Sequence, residues 1–490
     1  MMMNTSKAFF LLAHSQWMRF FRSPSPLYLG ALIFMVLKIN FFMQIPPNDY
    51  WWYLQLGQDI WHNLSIPVVD SYTYTQKGEP YFFIAWLSSV LFWLLRDPTA
   101  ATLLQGVLPA IFSLLIWQCC RTVGAGIRLT FVLTLMVVLM GATSWAMRPQ
   151  LFSLPLFALT LLSLLHWQRG GTKWAWFLPI IILCWVNLHG AFPLLFLLAG
   201  AALVGGSGDR KTLTFALLAS FFTSLCNPQG VMVWHFVFSM LTDAPTQLLG
   251  PEWLPPSTAL NWQFKLFFCW LLVFPVVTSL SSSKLKLTDW LWFLGFAWMA
   301  LSGQRYVVWF VAVFAPINAI LLTPLANRSI DRRVTLGKPF FNGIVFALLL
   351  LLPLMLLPKI RGNWYADAPS VYTPNTPIAA VEWLKLHPEL PGNLWADLAM
   401  SVYIIYALPE RPVWIDTRTN LFPMEQWSDY IRIVNVGRNW EALLARDKVR
   451  LLLLDPKEQP LLIQALAESP LWESPYQDES SIIFTLIHNS

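Results

Sequence analysis

The chain has 490 residues, 56% of them hydrophobic and only 12% charged, with a formal net charge of +6. A soluble globular domain carries about 25% charged residues, so composition excludes that class, as it excludes an outer-membrane barrel built on ~10-residue alternation. The mean hydropathy of +0.54 and recurrent apolar runs of roughly 17–25 residues fit a ~30 Å hydrocarbon core, and the modest positive charge in short loops reports topology rather than nucleic-acid binding.

In chain order, residues 1–25 read as an amphipathic lead on the inner membrane surface. Phe9, Phe10, Trp17, Phe20 and Phe21 alternate with Lys7, Arg19 and Arg22, and no cleavable signal peptide is evident. The first span is Pro26–Met43. A polar outer loop follows over residues 46–81, with Asp49 directly before Tyr50, Trp51 and Trp52, an amphipathic helix pattern to Asn63, and Asp70 in a Pro/Ser/Thr loop. Further apolar runs are Phe82–Leu95, Ala100–Trp117, Leu129–Met147, Leu151–Trp167, Trp174–Leu188, Ala191–Val204, Leu213–Leu225, Val231–Leu249, Phe264–Leu280, Trp290–Leu301, Val307–Leu322 and Phe340–Leu357. Residues 26–358 therefore form a mainly α, polytopic bundle of roughly 11–13 spans, the range arising because Phe82–Leu95 and Val231–Leu249 are short or interrupted.

Lys and Arg mark inner loops. Arg19 and Arg22 put the N-terminus inside and the 46–81 loop outside; Arg328, Arg332, Arg333 and Lys338 put everything after Pro358 outside. The middle allows two arrangements. If Phe82–Leu95 only dips into the membrane, the turns Arg148-Pro149-Gln150, Asn187–Gly190 and Asn227–Gly230 share the outer side with Asp49, as the positive-inside count favours. If both doubtful segments cross, those turns lie inside. The five cysteines fall in or beside apolar runs without metal-ligand spacing, which predicts neither disulfide framework nor zinc site.

Charge rises and apolar runs shorten from about Asn363. Asn393–Asp397, Val413–Asp416 and Arg450–Asp455 read as buried strands, Trp472–Gln477 and Ser481–Ile487 as a hairpin, with helical patterns between them. Residues 359–490 are thus predicted as a small extracytoplasmic α/β domain with a partly parallel sheet. Asp397, Asp416 and Asp455 fall at strand C-terminal ends, where open sheets bind ligands, although Asp at such positions also caps helices.

Several motifs resemble one family. Asp49 with its tryptophans, Leu56–Ile60, Asp70–Thr75, Gly78-Glu79-Pro80 and Trp86-Leu87 resemble the first outer loop of GT-C-type polytopic membrane glycosyltransferases. Trp185–Gly190, Asn227–Gly230, Glu252-Trp253, Arg305 and Ile415–Arg418 are similar to later motifs in the same order. The resemblance implies a GT-C-like fold related to protein O-mannosyltransferases and lipid A aminoarabinose transferases, and it favours the thirteen-span arrangement in which both doubtful segments cross. It also implies inverting transfer of a sugar from a polyprenyl-phosphate donor to a lipid, glycan or protein acceptor at the outer face of a bacterial inner membrane. The chain departs from the pattern at Ile84-Ala85, where related sequences carry His-Glu.

On that resemblance, Asp49 is the expected general base, worth about 10²–10⁴-fold, with Asp70 as its helper. Arg305, whose planar fork matches phosphate oxygens, is the expected phosphate clamp; Glu252, His189, Trp51 and Trp52 are expected to complete the substrate site. A divalent cation, if one takes part, falls to Asp49 and Asp70. Bland readings stand beside these: helix capping for Asp49, a turn for Asp70, snorkelling for Arg305, packing for His189 and loop capping for Glu252. The alternative function is a non-catalytic GT-C-derived scaffold or glycan-binding protein, for which the missing His-Glu pair speaks. A transporter ranks last, because charges avoid the middle of the spans.

Overall fold

A computed structural model describes residues 18–329, 337–365, 367 and 369–487. The amphipathic lead up to residue 17 and the basic cluster at 330–336 lie outside the described residues. Within them, seven helices are long and apolar enough to cross a membrane: Ser25–Phe42, Pro98–Thr122, Ile127–Ser144, Gln150–Trp167, Trp262–Leu280, Gln304–Ala326 and Pro339–Leu356. Shorter apolar helices, among them Thr172–Leu188, Pro193–Gly205 and Met232–Thr242, fill the bundle between them. Gln304–Ala326 and Gln150–Trp167 are the central posts, with 78% and 72% of their apolar windows buried, whereas Pro339–Leu356 and Trp262–Leu280 are 11% and 17% buried and turn their side chains outward. Apolar residues can face outward along a whole helix only where lipid replaces water.

The two doubtful segments resolve as local breaks. Phe82–Leu95 yields one helix of 9 residues, Trp86–Leu94, which rises only about 14 Å at 1.5 Å per residue. Trp86 Nε1 donates to Asn187 Oδ1 at 2.9 Å and Ser88 Oγ to the Leu188 carbonyl at 2.6 Å. Asn227 Nδ2 donates to the Val186 carbonyl at 3.0 Å. The short helix and the Asn187 and Asn227 turns therefore meet at one level, as in the arrangement where Phe82–Leu95 dips. Val231–Leu249 breaks at Asp243, which caps the helix Ala244–Leu249 by accepting from Thr246 N.

The helix Tyr50–Asn63, in the 46–81 loop called the outer loop from its expected placement, lies against Trp86–Leu94. Gly57 sits at their crossing, where a Cβ would come within 2.0 Å of the Ser89 carbonyl oxygen. Gly57→Ala must push the helices apart, at a cost of at least about 1–3 kcal/mol. The thermal midpoint of the purified protein should drop, while Gly200→Ala, with nothing within 4 Å of its Cβ, leaves it in place. An unmoved midpoint for Gly57→Ala would show that the two helices are free to separate.

The C-terminal part is an α/β unit. Its sheet has the order β1 (Asn393–Ala396), β2 (Val449–Leu454), β4 (Ile482–Leu486), β3 (Trp472–Gln477), with β1 and β2 parallel and the rest antiparallel. Leu451–Leu454 are fully buried, the continuous apolar run of a strand covered on both faces. Val413–Asp416, expected as a strand, forms none. Only Val413 makes bridges, one to Leu394 of β1 and one to Thr73 of the outer loop. The next carbonyl, that of Trp414, is taken by Thr75 Oγ1 at 2.7 Å and Gln426 Nε2 at 2.9 Å, so side chains replace a ladder. Through Val413 the outer loop is stitched onto the C-terminal sheet. Asp397 caps Leu398–Ala407 through Ala399 N and Met400 N, whereas Asp455 accepts from Lys457 N and so closes a turn rather than capping a helix.

Candidate active site

The first span ends at Phe42 and the chain turns through Pro46-Pro47 into the helix Tyr50–Asn63. Asn48 Oδ1 accepts from Tyr50 N at 3.1 Å, while Asp49 makes no capping bond although it precedes the helix. Its carboxylate is thereby free to point elsewhere. Oδ1 accepts from the Thr417 hydroxyl of the C-terminal unit, and Oδ2 lies 3.5 Å from Arg148 Nε.

From Asp49 an ion-pair chain runs on. Arg148 Nη1 reaches Glu252 Oε2 at 2.9 Å, and Arg305 Nη1 reaches Glu252 Oε1 at 3.2 Å. Arg305 also stacks over Trp253, 4.2 Å from the ring centre. Asp49 raises the Arg148 pKa, burial opposes this and Glu252 adds to the rise. Burial alone would raise the Glu252 carboxyl, but Arg305 and Arg148 hold it below its ordinary range. Glu252 is therefore anionic and Arg148 cationic at neutral pH.

His189 follows the helix Phe177–Leu188. Its Nδ1 lies 2.8 Å from Ser153 Oγ and receives the Ala191 N–H at 3.4 Å. Ser153 Oγ itself accepts from Trp185 Nε1 at 2.7 Å, so its proton goes to His189. Burial, assisted by Arg305, pushes the imidazole pKa down. A neutral ring accepting at Nδ1 carries its proton on Nε2.

Asp49, Trp52, His189, Glu252 and Arg305, all expected from the sequence, line one cavity of about 330 Å³. Arg148, Tyr53, Tyr81 and Thr417 join them, and Ile84 and Ala85 contribute apolar wall where the resemblance expects His-Glu. One end is greasy, with Leu194, Leu197, Phe236, Val237, Met240 and Leu241. Leu197 and Leu241 are also 53% and 51% exposed, so the cavity opens on the flank of the bundle. Thr246, Thr419 and Asn420 also line it, the two threonine hydroxyls 2.8 Å apart. An apolar cleft with a few converging polar groups is the usual form of a small-molecule site.

Two expected residues stand elsewhere. Trp51 turns the other way, its ring centre 4.7 Å from Tyr403 and 4.9 Å from Tyr372. Asp70 is buried, and its oxygens accept from Tyr72 N, Thr73 N and Thr73 Oγ1 and pair with Arg418 Nη2 at 2.7 Å. The same guanidinium is gripped by Asp416, with both side chains fully buried, and Trp52, Tyr72 and Tyr81 surround it at 5.8, 5.2 and 5.0 Å. Burial would lower the Arg418 pKa, but Asp416 and Asp70 raise it. Asp70 fastens the outer loop to the C-terminal unit rather than facing the cavity. Asp49 and Asp70 thus have no common opening for a cation, and the described residues contain no group of three or more His, Cys, Asp or Glu that could hold a metal.

Arg148 and Thr417 were not singled out from the sequence as site residues. Each carried a signal: Arg148 opens a polar turn between apolar runs, as Arg305 does, and Thr417 belongs to the Ile415–Arg418 motif.

No protein-family model matches the sequence, and no curated protein does. Solved structures match it by shape. Apo oligosaccharyltransferase from Archaeoglobus fulgidus aligns over 88% of this chain and 69% of its own, with 13% identity and a TM-score of 0.55. Arabinofuranosyltransferase AftD from Mycobacteria aligns over 94% of this chain and 42% of its own, with 13% identity and a TM-score of 0.59. ArnT from Cupriavidus metallidurans, bound to undecaprenyl phosphate, aligns over 94% and 98%, with 13% identity and a TM-score of 0.51. At such identities the likeness is one of architecture alone: the chain has a GT-C-like fold.

Proposed function

We propose that the chain is an inverting glycosyltransferase that moves a sugar from a polyprenyl-phosphate donor to an acceptor hydroxyl on a lipid, glycan or protein. In this reading residues 26–358 form the membrane domain and 359–490 an extracytoplasmic domain, with the N-terminus on the cytoplasmic side of a bacterial inner membrane. Asp49 takes the acceptor proton as the hydroxyl oxygen bonds to the anomeric carbon from the face opposite the phosphate. The carbon–oxygen bond to the donor breaks, and Arg148 and Arg305 neutralise the departing polyprenyl phosphate. The apolar end holds the first isoprene units, each buried CH₂ contributing about 0.8 kcal/mol, and the neutral His189 offers its Nε2 proton to an oxygen.

The observation that carries this reading is one cavity, open at the bundle's flank, holding an uncapped carboxylate beside two arginines. Likeness to ArnT bound to undecaprenyl phosphate supports it. Deleting the gene in the source organism should remove one glycosyl substituent from the envelope lipid or glycan profile and leave the polyprenyl-phosphate sugar to accumulate. A profile without either change counts against transferase activity.

A second reading, a scaffold or glycan-binding descendant, is favoured by one observation: Ile84 and Ala85 line the cavity with carbon where related chains carry His-Glu. It predicts a deletion phenotype that an Asp49 variant rescues fully.

A further inference from the structure

We infer that Glu252 holds the place of the donor phosphate: its carboxylate occupies the point on which Arg148 and Arg305 converge and leaves it when an anionic headgroup arrives. This rests on the polyprenyl-phosphate reading above and adds a residue that sets the affinity for the donor.

The geometry is that of a bound anion. Each Glu252 oxygen faces a different guanidinium, Oε2 toward Arg148 at 2.9 Å and Oε1 toward Arg305 at 3.2 Å, as two oxygens of a phosphate would. No other acid competes for Arg305 among its described ion pairs. With Asp49 beside Arg148, two positive charges already face two negative ones. A phosphate entering this balanced cluster adds uncompensated negative charge in a partly dehydrated site, which a low-dielectric interior penalises. Departure of Glu252 restores the balance.

The surroundings give the carboxylate somewhere to go. Glu252 lies in the three-residue turn Pro251–Trp253, and its side chain is 38% exposed, more than either arginine it bridges. Behind it is a second cavity of about 130 Å³, which shares Arg148, Gln150, Glu252 and Arg305 with the first and adds Thr143, Ser144 and Asn261. The Arg148–Glu252–Arg305 bridge is the partition between the two spaces. Swinging Glu252 out makes them continuous and lets the hydroxyl- and amide-lined chamber admit the headgroup.

The test uses the full-length protein in lipid nanodiscs, with farnesyl phosphate as probe and farnesol as its uncharged control, each titrated by calorimetry. Glu252→Gln should bind farnesyl phosphate about tenfold more tightly than the native protein, a coupling of ordinary size, with farnesol unchanged. Arg305→Gln should bind it more weakly. If the native protein binds the probe and Glu252→Gln binds it equally or less well, the place-holding role is overturned, because a carboxylate that helps to bind would be missed when neutralised. If neither protein binds farnesyl phosphate, the polyprenyl-phosphate reading fails, and this inference with it.

Discussion

Asp49→Asn should reduce sugar transfer about 10²–10⁴-fold, the contribution of a positioned general base, with little change in folding. The amide oxygen of Asn can still accept from the Thr417 hydroxyl that Asp49 now engages, and the helix loses no cap because Asp49 supplies none. What disappears is the negative charge facing Arg148 and the capacity to take a proton. On the proposed reaction, release of polyprenyl phosphate by the purified protein, measured beside its thermal midpoint, separates the two effects. A collapsed rate with an unchanged midpoint is the expected result. An unchanged rate, or complementation of the deletion by Asp49→Asn, removes Asp49 from the chemistry.

The second large effect is expected from a residue that touches the cavity yet serves mainly as a rivet. Arg418→Met leaves Asp70 and Asp416 buried without their shared cation. Breaking a buried ion pair from one side costs about 3–5 kcal/mol, whereas replacing all partners together is often nearly neutral. Arg418→Met alone should therefore lower the thermal midpoint and expose the connection before Ile378 to protease. The triple variant Asp70→Asn, Asp416→Asn, Arg418→Met should recover most of the loss. The single variant should also lose activity, since Thr417 is the next residue and holds Asp49. An unmoved midpoint for Arg418→Met alone would show that Arg418 carries no such load.

Much of this was legible in the sequence where the physics is local. Apolar runs give spans, and alternating strand and helix patterns give the C-terminal unit with β1, β2 and the hairpin. The polar turns that interrupt apolar runs proved informative as a class, because a bundle in lipid has few other places for charge. That is why Asp49, His189, Glu252 and Arg305, which lie far apart in sequence, meet at one cavity. Individual roles were harder to read. Asp70 and Asp49 look alike in sequence, both acids beside aromatic residues in one loop, and only the distant Arg418 and Arg148 distinguish them. Trp51 and Trp52 are neighbours on a helix, so they face about 100° apart and only one can look into the cavity. Val413–Asp416 has strand composition, but Gln426 and Thr75, the latter 339 positions away, take the Trp414 carbonyl.

The stitching of the outer loop to the C-terminal sheet also bears on biosynthesis. Thr417 follows Asp49 by 368 positions, so the nascent polypeptide threads nearly all its helices into the bilayer while the loop waits with Asp70 lacking its guanidinium. Only after Thr417 and Arg418 have been made can the partner segment emerge and dock. A product truncated before Thr417 would thus carry Asp49, Arg148 and Arg305 without the hydroxyl that holds the acid.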